Sequence, residues 1–223
     1  MSDSEVLSDI LDRRYSCRGF RPETVSQEQI TTMLRMAQRT ASWCNAQPWQ
    51  VTILSGLALE RFREGLIAKA EQSGNDSQIP FPERYEGVYK QRRKECGVGL
   101  YESLGITRAD TVRQNNQRME NFRLFGAPHV AVISTARDLG VYGAVDCGAY
   151  VANLLSAATS LGIATIPQAA PMNYGTYVHN FLELDDDRDL VCTVAFGFAD
   201  DSHPANAFRT CREVLENVVT FMD

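Results

Sequence analysis

The chain has 223 residues, of which 44% are hydrophobic and 22% charged, and its net charge is −6. This is the make-up of an ordinary soluble globular protein of one large domain, and the acidic balance argues against a nucleic-acid partner, which demands a basic face. No apolar run is long enough to span a membrane, and the acidic first residues lack the apolar core of a secretory leader, so the reading is cytoplasmic.

Residues 4–13 put Val6, Leu7, Ile10 and Leu11 on one helical stripe. Residues 26–39 form a second helix, opened by a Ser26/Gln29 capping box and striped by Ile30, Met33, Leu34 and Ala37. The loop 40–48 ends at Pro48, and residues 49–54 alternate as a strand. Residues 58–70 turn Leu59, Phe62 and Leu66 inward as a helix. The polar stretch 72–82, broken by Pro80 and Pro82, starts an inserted excursion that runs to about residue 105 and carries a weakly amphipathic helix at 83–104. Thr107 and Asp110 cap a helix ending near Phe125. A short strand follows at 129–133, then an apolar helix at 146–161, a strand at 163–166, a short helix at 174–182 and the longest strand at 190–198. Residues 218–221 suit an added strand. Short strands separated by longer helices make an α+β domain, and such crossovers suit a mixed sheet.

The helix at 146–161 is apolar on most sides, with Ala149, Ala152, Leu155 and Ala158 on one face and Val151, Leu154 and Leu161 elsewhere. Such a helix needs cover on most sides, which points to a second subunit over part of it.

The three histidines, His129, His179 and His203, are too scattered for a metal site. The six cysteines form no C-x-x-C pair and read as reduced thiols. No G-x-S-x-G elbow is present. The run Gly97-Val-Gly-Leu-Tyr-Glu102 lacks the third glycine of a dinucleotide fingerprint and follows a polar helix, not a strand. Arginines are more informative. Arg13, Arg14 and Arg18 surround Ser16, and Arg209 and Arg212 lie close together near the C-terminus. Guanidinium groups and a hydroxyl suit a phosphate, at roughly 1.5–3 kcal/mol for each sheltered charge-assisted bond. Solvated surface arginine is the plainer alternative. The loop Ser42-Trp-Cys-Asn-Ala-Gln-Pro-Trp49 crowds two tryptophans and two amides together; these can stack on and read the edge of a heterocycle, or simply pack.

Taken in order, Arg14-Tyr-Ser-Cys-Arg-Gly-Phe20, Ala41-Ser-Trp-Cys-Asn-Ala-Gln-Pro-Trp49, Gly126-Ala-Pro128, Pro167-Gln-Ala-Ala170 and Asn206-Ala-Phe-Arg-Thr-Cys-Arg212 resemble the motifs of the nitroreductase family of flavoproteins. The likeness covers nearly the whole chain. It is greatest to nitrobenzoate-reductase-like members, through the Trp-Cys-Asn loop and the Asn121-Phe-Arg-Leu-Phe-Gly-Ala-Pro128 run.

The resemblance implies a nitroreductase-like α+β subunit, a mixed central sheet flanked by helices, in an intertwined homodimer with FMN at each subunit interface. Arg14, Tyr15, Ser16 and Arg18 would then hold the phosphate and part of the flavin edge. Ser42, Trp43 and Asn45 would come from the partner subunit. Asn121 would reach the polar side of the ring, Pro167, Gln168, Ala169 and Ala170 would line the face near N5, and Arg209 and Arg212 would close on the phosphate. NADPH or NADH would be the electron donor, and a flat electron-poor acceptor such as a nitroaromatic would follow it into the same slot in ping-pong order. Phe81, Tyr85 and Tyr89 of the excursion would offer aromatic walls for that acceptor, or would be ordinary packing. The chain departs from the family pattern at Tyr15, at Ala41, where proline is common, and at Ala169 and Ala170, which replace Glu-Gly. Reduction of an enone or quinone, reductive dehalogenation, a non-catalytic FMN-binding role and a flavin-free dimer stay open on the sequence.

Overall fold

The computed structural model describes residues 1–72 and 74–222. Its first helix, α1 (Asp3–Arg13), opens on a reciprocal Ser2/Glu5 capping box. The predicted Ser26/Gln29 box opens α2 (Gln27–Ala37), whose Ile30, Met33 and Ala37 are buried. Then follow β1 (Gln50–Ser55), α3 (Gly56–Ala70), α4 (Gly87–Ser103), α5 (Thr111–Met119), β2 (His129–Ala136), α6 (Gly140–Ser160), β3 (Ala164–Gln168), α7 (Gly175–Leu182) and β4 (Arg188–Gly197). Asp110 caps α5 by accepting the Arg113 N–H at 3.0 Å.

The described strands form one sheet in the order β1-β2-β4-β3. This is the expected α+β class, with one refinement. Every strand ladder is antiparallel, and parallel pairing enters only as the single bridge between Ser16 and Thr165. A long helical connection leaves strand direction open, and here the chain comes back alongside its neighbour in the opposite sense.

Side chains alternate across the sheet as the two-residue period requires. Val130 and Val132 of β2 face a core built with Leu59, Phe62 and Leu66 of α3 and Val178 of α7. Ala131 and Ile133 face a second core with Ile30 and Met33 of α2 and Tyr150, Leu154 and Ala158 of α6. The sheet is therefore covered by α3 and α7 on one face and by α2 and α6 on the other. Only part of α6 is buried, however. Cys147, Tyr150, Leu154, Leu155, Ala157 and Ala158 turn inward, whereas Val141, Tyr142 and Val145 stand exposed.

Two expectations are corrected. The helix capped by Asp110 stops at Met119, because Leu124, Phe125 and Gly126 all adopt left-handed backbone, at φ 54°, 53° and 75°. The tail forms a short 3₁₀ turn at Leu215–Asn217 and no strand at 218–221. All the sheet pairings formed involve other segments.

The start of the excursion is tied down. Asp76 N–H donates to Asn173 O at 2.9 Å, its carboxylate accepts the Thr176 N–H at 3.3 Å, and Gln78 Oε1 accepts the Leu190 N–H at 3.3 Å.

Candidate functional site

Just past α1 the chain runs extended, and Cys17 N–H donates to Thr165 O of β3 at 2.9 Å. That contact seats Ser16 and Arg18 beside the end of β3. Between them lies a cleft of about 320 Å³, walled by Pro167, Gln168 and Ala169, by the α4 residues Gly97, Leu100 and Tyr101, and by Gln117, Arg118, Asn121 and Phe125. No aspartate or glutamate lines it.

Among the predicted site residues, Ser16, Arg18, Asn121, Pro167, Gln168 and Ala169 thus converge on one cleft. Ala170 follows directly as the first residue of a 3₁₀ turn. Gln168 Nε2 donates to Asn121 O at 2.8 Å, locking the two together, and its buried Oε1 has no partner. An orphaned acceptor of this kind costs roughly 1–3 kcal/mol unless a ligand donor meets it.

The arginines gather at one end. The Arg209 guanidinium lies 3.7 Å from the Tyr15 ring centroid, a cation–π contact. Burial, and after it the neighbouring Arg212 guanidinium, lower the Arg14 pKa from its ordinary value. Burial likewise lowers that of Arg18. Burial raises the pKa of the Tyr15 phenol, with the Cys17 thiol adding to the shift and Arg209 opposing it. Among the described residues none of Arg14, Arg18, Arg209 and Arg212 is paired with a carboxylate. Of these, Arg14 and Arg212 lie close enough to feel each other's charge, and such an arrangement suits an anion. Arg209 and Arg212 also border a groove of about 910 Å³ between α4 and the tail, closed by the Arg92–Glu213 ion pair at 2.6 Å.

Ser42, Trp43 and Asn45 sit apart, and none of them lines the cleft of their own chain. Cys44, Asn45 and Gln47 hold left-handed backbone at φ 50°, 56° and 47°. Ser42 Oγ accepts the Gln47 N–H at 2.9 Å, and the Trp43 N–H meets both Asp146 carboxylate oxygens at 3.2 Å. The Trp43 ring, 55% exposed, stands edge-on to Tyr142 at 4.2 Å. The loop is thus built rigidly and aimed outward, beside the exposed face of α6.

Phe81, Tyr85 and Tyr89 do not reach the cleft in the single chain either. Phe81 packs on the core under α3, Tyr85 lies under the Arg93 guanidinium at 5.2 Å, and Tyr89 is exposed. The excursion contributes Gly97, Leu100 and Tyr101 instead. Their i, i+3, i+4 spacing on one helical face was visible in the sequence, within the run set aside as a failed dinucleotide fingerprint. Arg118 gave no such signal.

Fold and site together define an α+β subunit with a cleft lined by Ser16, Arg18, Asn121 and Gln168 at the end of β3. Residues 11–198 match the model of the Nitroreductase family, and the chain belongs to that family. It is 33% identical over 219 residues to nitroreductase NfnB of Mycolicibacterium smegmatis, covering 98% of this chain and 93% of the relative. It is 30% identical over 224 residues to a 4-nitrobenzoate reductase of Nocardioides sp., covering 98% and 90%. The crystal structure of the FMN-dependent nitroreductase NfnB from Mycobacterium smegmatis in complex with NADPH superposes with a TM-score of 0.95 at 31% identity, over 100% of both chains.

Proposed function

We propose that this protein is an FMN-dependent NAD(P)H oxidoreductase that reduces nitroaromatic or similarly flat, electron-poor acceptors. The observation that carries the reading is the cleft itself, which no acid lines and which Ser16, Arg18 and Gln168 do, with the Gln168 Oε1 left without a partner among the described residues; Arg209 lies over the neighbouring Tyr15 ring, and Arg14 and Arg212 lie near each other. FMN fits this donor set. It brings a phosphate for Arg14, Arg209 and Arg212, and an imide N–H and ribityl hydroxyls that can satisfy an acceptor such as Gln168 Oε1.

When bound, FMN would supply hydride chemistry between a reduced nicotinamide and the acceptor. This chain's residues hold and orient it. Arg14, Arg209 and Arg212, with Tyr15 and Ser16, take the phosphate end. Arg18 and Asn121 take the polar edge of the ring, where positive charge favours the electron-rich reduced form. Pro167, Gln168, Ala169 and Ala170 would form the wall beside the ring, where Gln168, Ala169 or Ala170 could offer a main-chain N–H. No side chain is needed as a catalytic acid, because water supplies the protons. Hydride transfer needs reacting atoms ~3–3.5 Å apart, so the flatness of the wall matters more than any acid–base pair.

The protein acts as a homodimer in this reading, and Ser42, Trp43 and Asn45 complete the site of the partner subunit. Their outward aim and the exposed Val141, Tyr142 and Val145 support it. Among the described residues no helix is long and apolar enough to cross a membrane, and a cytoplasmic enzyme is proposed.

An absorbance spectrum of the purified protein, repeated after anaerobic addition of NADPH and then NADH, tests the reading. A flavin spectrum bleached by at least one nicotinamide, with colour restored by a nitroaromatic, is the expected result. Bound flavin that neither nicotinamide bleaches would leave a binding protein, and no flavin after incubation with FMN would refute the reading altogether.

A further inference from the structure

We propose that Asn206 is a positioning residue that fixes the phosphate end of the cofactor site relative to its ring end, and so sets the preference for a phosphorylated over an unphosphorylated flavin; this rests on the flavin reading above. Asn206 does not line the cleft itself. It is buried, with all its hydrogen-bonding groups engaged. Its Oδ1 accepts the Arg18 N–H at 2.7 Å. Its Nδ2 donates to Gly19 O at 2.8 Å and to Asp200 O at 2.9 Å. Its own N–H donates to His203 O at 2.9 Å. Its carbonyl accepts from Arg209 Nη1 at 2.6 Å.

One side chain thus grips the main chain that carries Arg18, while the same residue's carbonyl holds the guanidinium of Arg209 over Tyr15. The seam has no slack. A Cβ built on Gly19 would fall 2.4 Å from the His203 ring, so the two segments are already in close apposition. The ring end has a separate anchor in the Cys17–Thr165 hydrogen bond. The Arg209 end follows the turn at Pro204–Asn206; upstream of it the Asp200 N–H donates to Gly19 O at 2.9 Å and the Arg21 N–H to Phe198 O at 2.9 Å, and from the turn itself, among the described residues, the side-chain hydrogen bonds to the N-terminal segment are those of Asn206. Loss of the amide therefore displaces the phosphate end while leaving the ring slot built.

The test compares binding of FMN and of riboflavin by the full chain, followed by flavin fluorescence, in wild type, Asn206→Ala, Asn206→Asp, Arg209→Met and the Asn206→Ala/Arg209→Met double variant. Wild type is expected to prefer FMN by at least about tenfold, the worth of a charge-assisted bond to the phosphate. Asn206→Ala is expected to lose most of that preference while riboflavin affinity stays within about threefold. Asn206→Asp keeps an acceptor for the Arg18 N–H and loses the donor to Gly19 and Asp200, so it loses an intermediate share and serves if the alanine variant does not fold. Because Asn206 acts through Arg209, the double variant is expected to lose no more preference than Arg209→Met alone. A parallel fall for both flavins, an intact FMN preference in both Asn206 variants, or additive losses in the double variant would each overturn the proposal. Equal binding of both flavins by wild type would overturn this proposal and leave the flavin reading standing, whereas binding of neither would overturn both.

Discussion

Arg14 and Arg212 hold two like charges close together with no acid to offset them, and burial of Arg14 sharpens the conflict. A phosphate would resolve it, and in that proposed role replacing either arginine by glutamate removes one attraction and adds one repulsion. Arg14→Glu and Arg212→Glu are each expected to weaken FMN retention by about 100-fold or more, read as flavin lost on dialysis; full retention in both would sink the phosphate assignment. His129 shows the opposite economy, a titratable group kept neutral. It is 4% exposed and stacked on Phe196 at 5.0 Å. Its Nε2 accepts the Val25 N–H at 2.9 Å, which leaves the proton on Nδ1 to donate to Ser55 Oγ at 2.5 Å. A second proton would turn Nε2 into a donor facing another donor, and burial lowers the His129 pKa from the ordinary 6.5. The unfolded chain takes up that proton near 6.5 while the folded chain resists it. The contribution is therefore fully present above the unfolded value and is lost as pH falls from there to the folded pKa. Between about pH 7 and pH 5, wild type is expected to lose more unfolding free energy in urea than His129→Gln, which keeps an acceptor and has no proton to gain. Equal losses would show that this histidine does not couple to folding.

The left-handed run Leu124-Phe125-Gly126 is the element on which the cleft wall turns, since Phe125 and Asn121 both line the cleft. Each non-glycine residue held there costs roughly 1–2 kcal/mol, so something must impose the shape. Arg63 of α3 does so. Its Nε donates to Arg123 O at 2.9 Å and its Nη2 to Ala127 O at 2.8 Å, which clasps the turn on both sides, while Glu60 steadies its Nη1 at 2.5 Å. Arg63→Met keeps the aliphatic stem and loses the clasp. It is expected to destabilise the fold by about 1–3 kcal/mol, to speed hydrogen exchange at 124–127 ahead of the β2 and β4 strands, and to lower kcat/KM. Unchanged local exchange would show the turn to be held by other means. This element also marks where sequence reading stops. The Ser26/Gln29 cap, the alternating strands and the inward faces of α2 and α3 were legible because their cause lies within a few residues. Ser16, Arg18, Asn121 and Gln168 were legible as a group through motif order. At 124–126 only Gly126 signals left-handed backbone, and the residue that enforces it on Leu124 and Phe125 is distant in the chain. The antiparallel ladders and the Asn206 knot were hidden for the same reason, because the partners in each are fixed by tertiary packing.

At the scale of the whole molecule, the single chain leaves too much apolar surface uncovered. Val6, Leu7 and Leu11 of α1 are exposed, and that helix buries none of its residues. Val141, Tyr142 and Val145 form the bare side of α6, next to the outward Trp43. Val214, Leu215, Val218, Phe221 and Met222 of the tail have no cover. Isolated apolar side chains on a surface are ordinary, but rows of them on one helix face suit an interface, and isologous pairing is the commonest way to bury them. The proposed pairing would account for Ser42, Trp43 and Asn45 missing the cleft of their own chain. In the proposed homodimer, oligomer and site are one construction, and a change at the bare side of α6 is expected to reach the cofactor. Wild type is expected to sediment at twice the chain mass, and Val145→Glu, which buries a charge at the centre of that face, to shift toward the single chain at micromolar concentration. Flavin is expected to dissociate together with the subunits. A Val145→Glu dimer as tight as wild type would move the interface elsewhere. A Val145→Glu monomer that keeps its flavin would show that the cleft needs nothing from a second copy, and the roles proposed for Ser42, Trp43 and Asn45 would fall with that result.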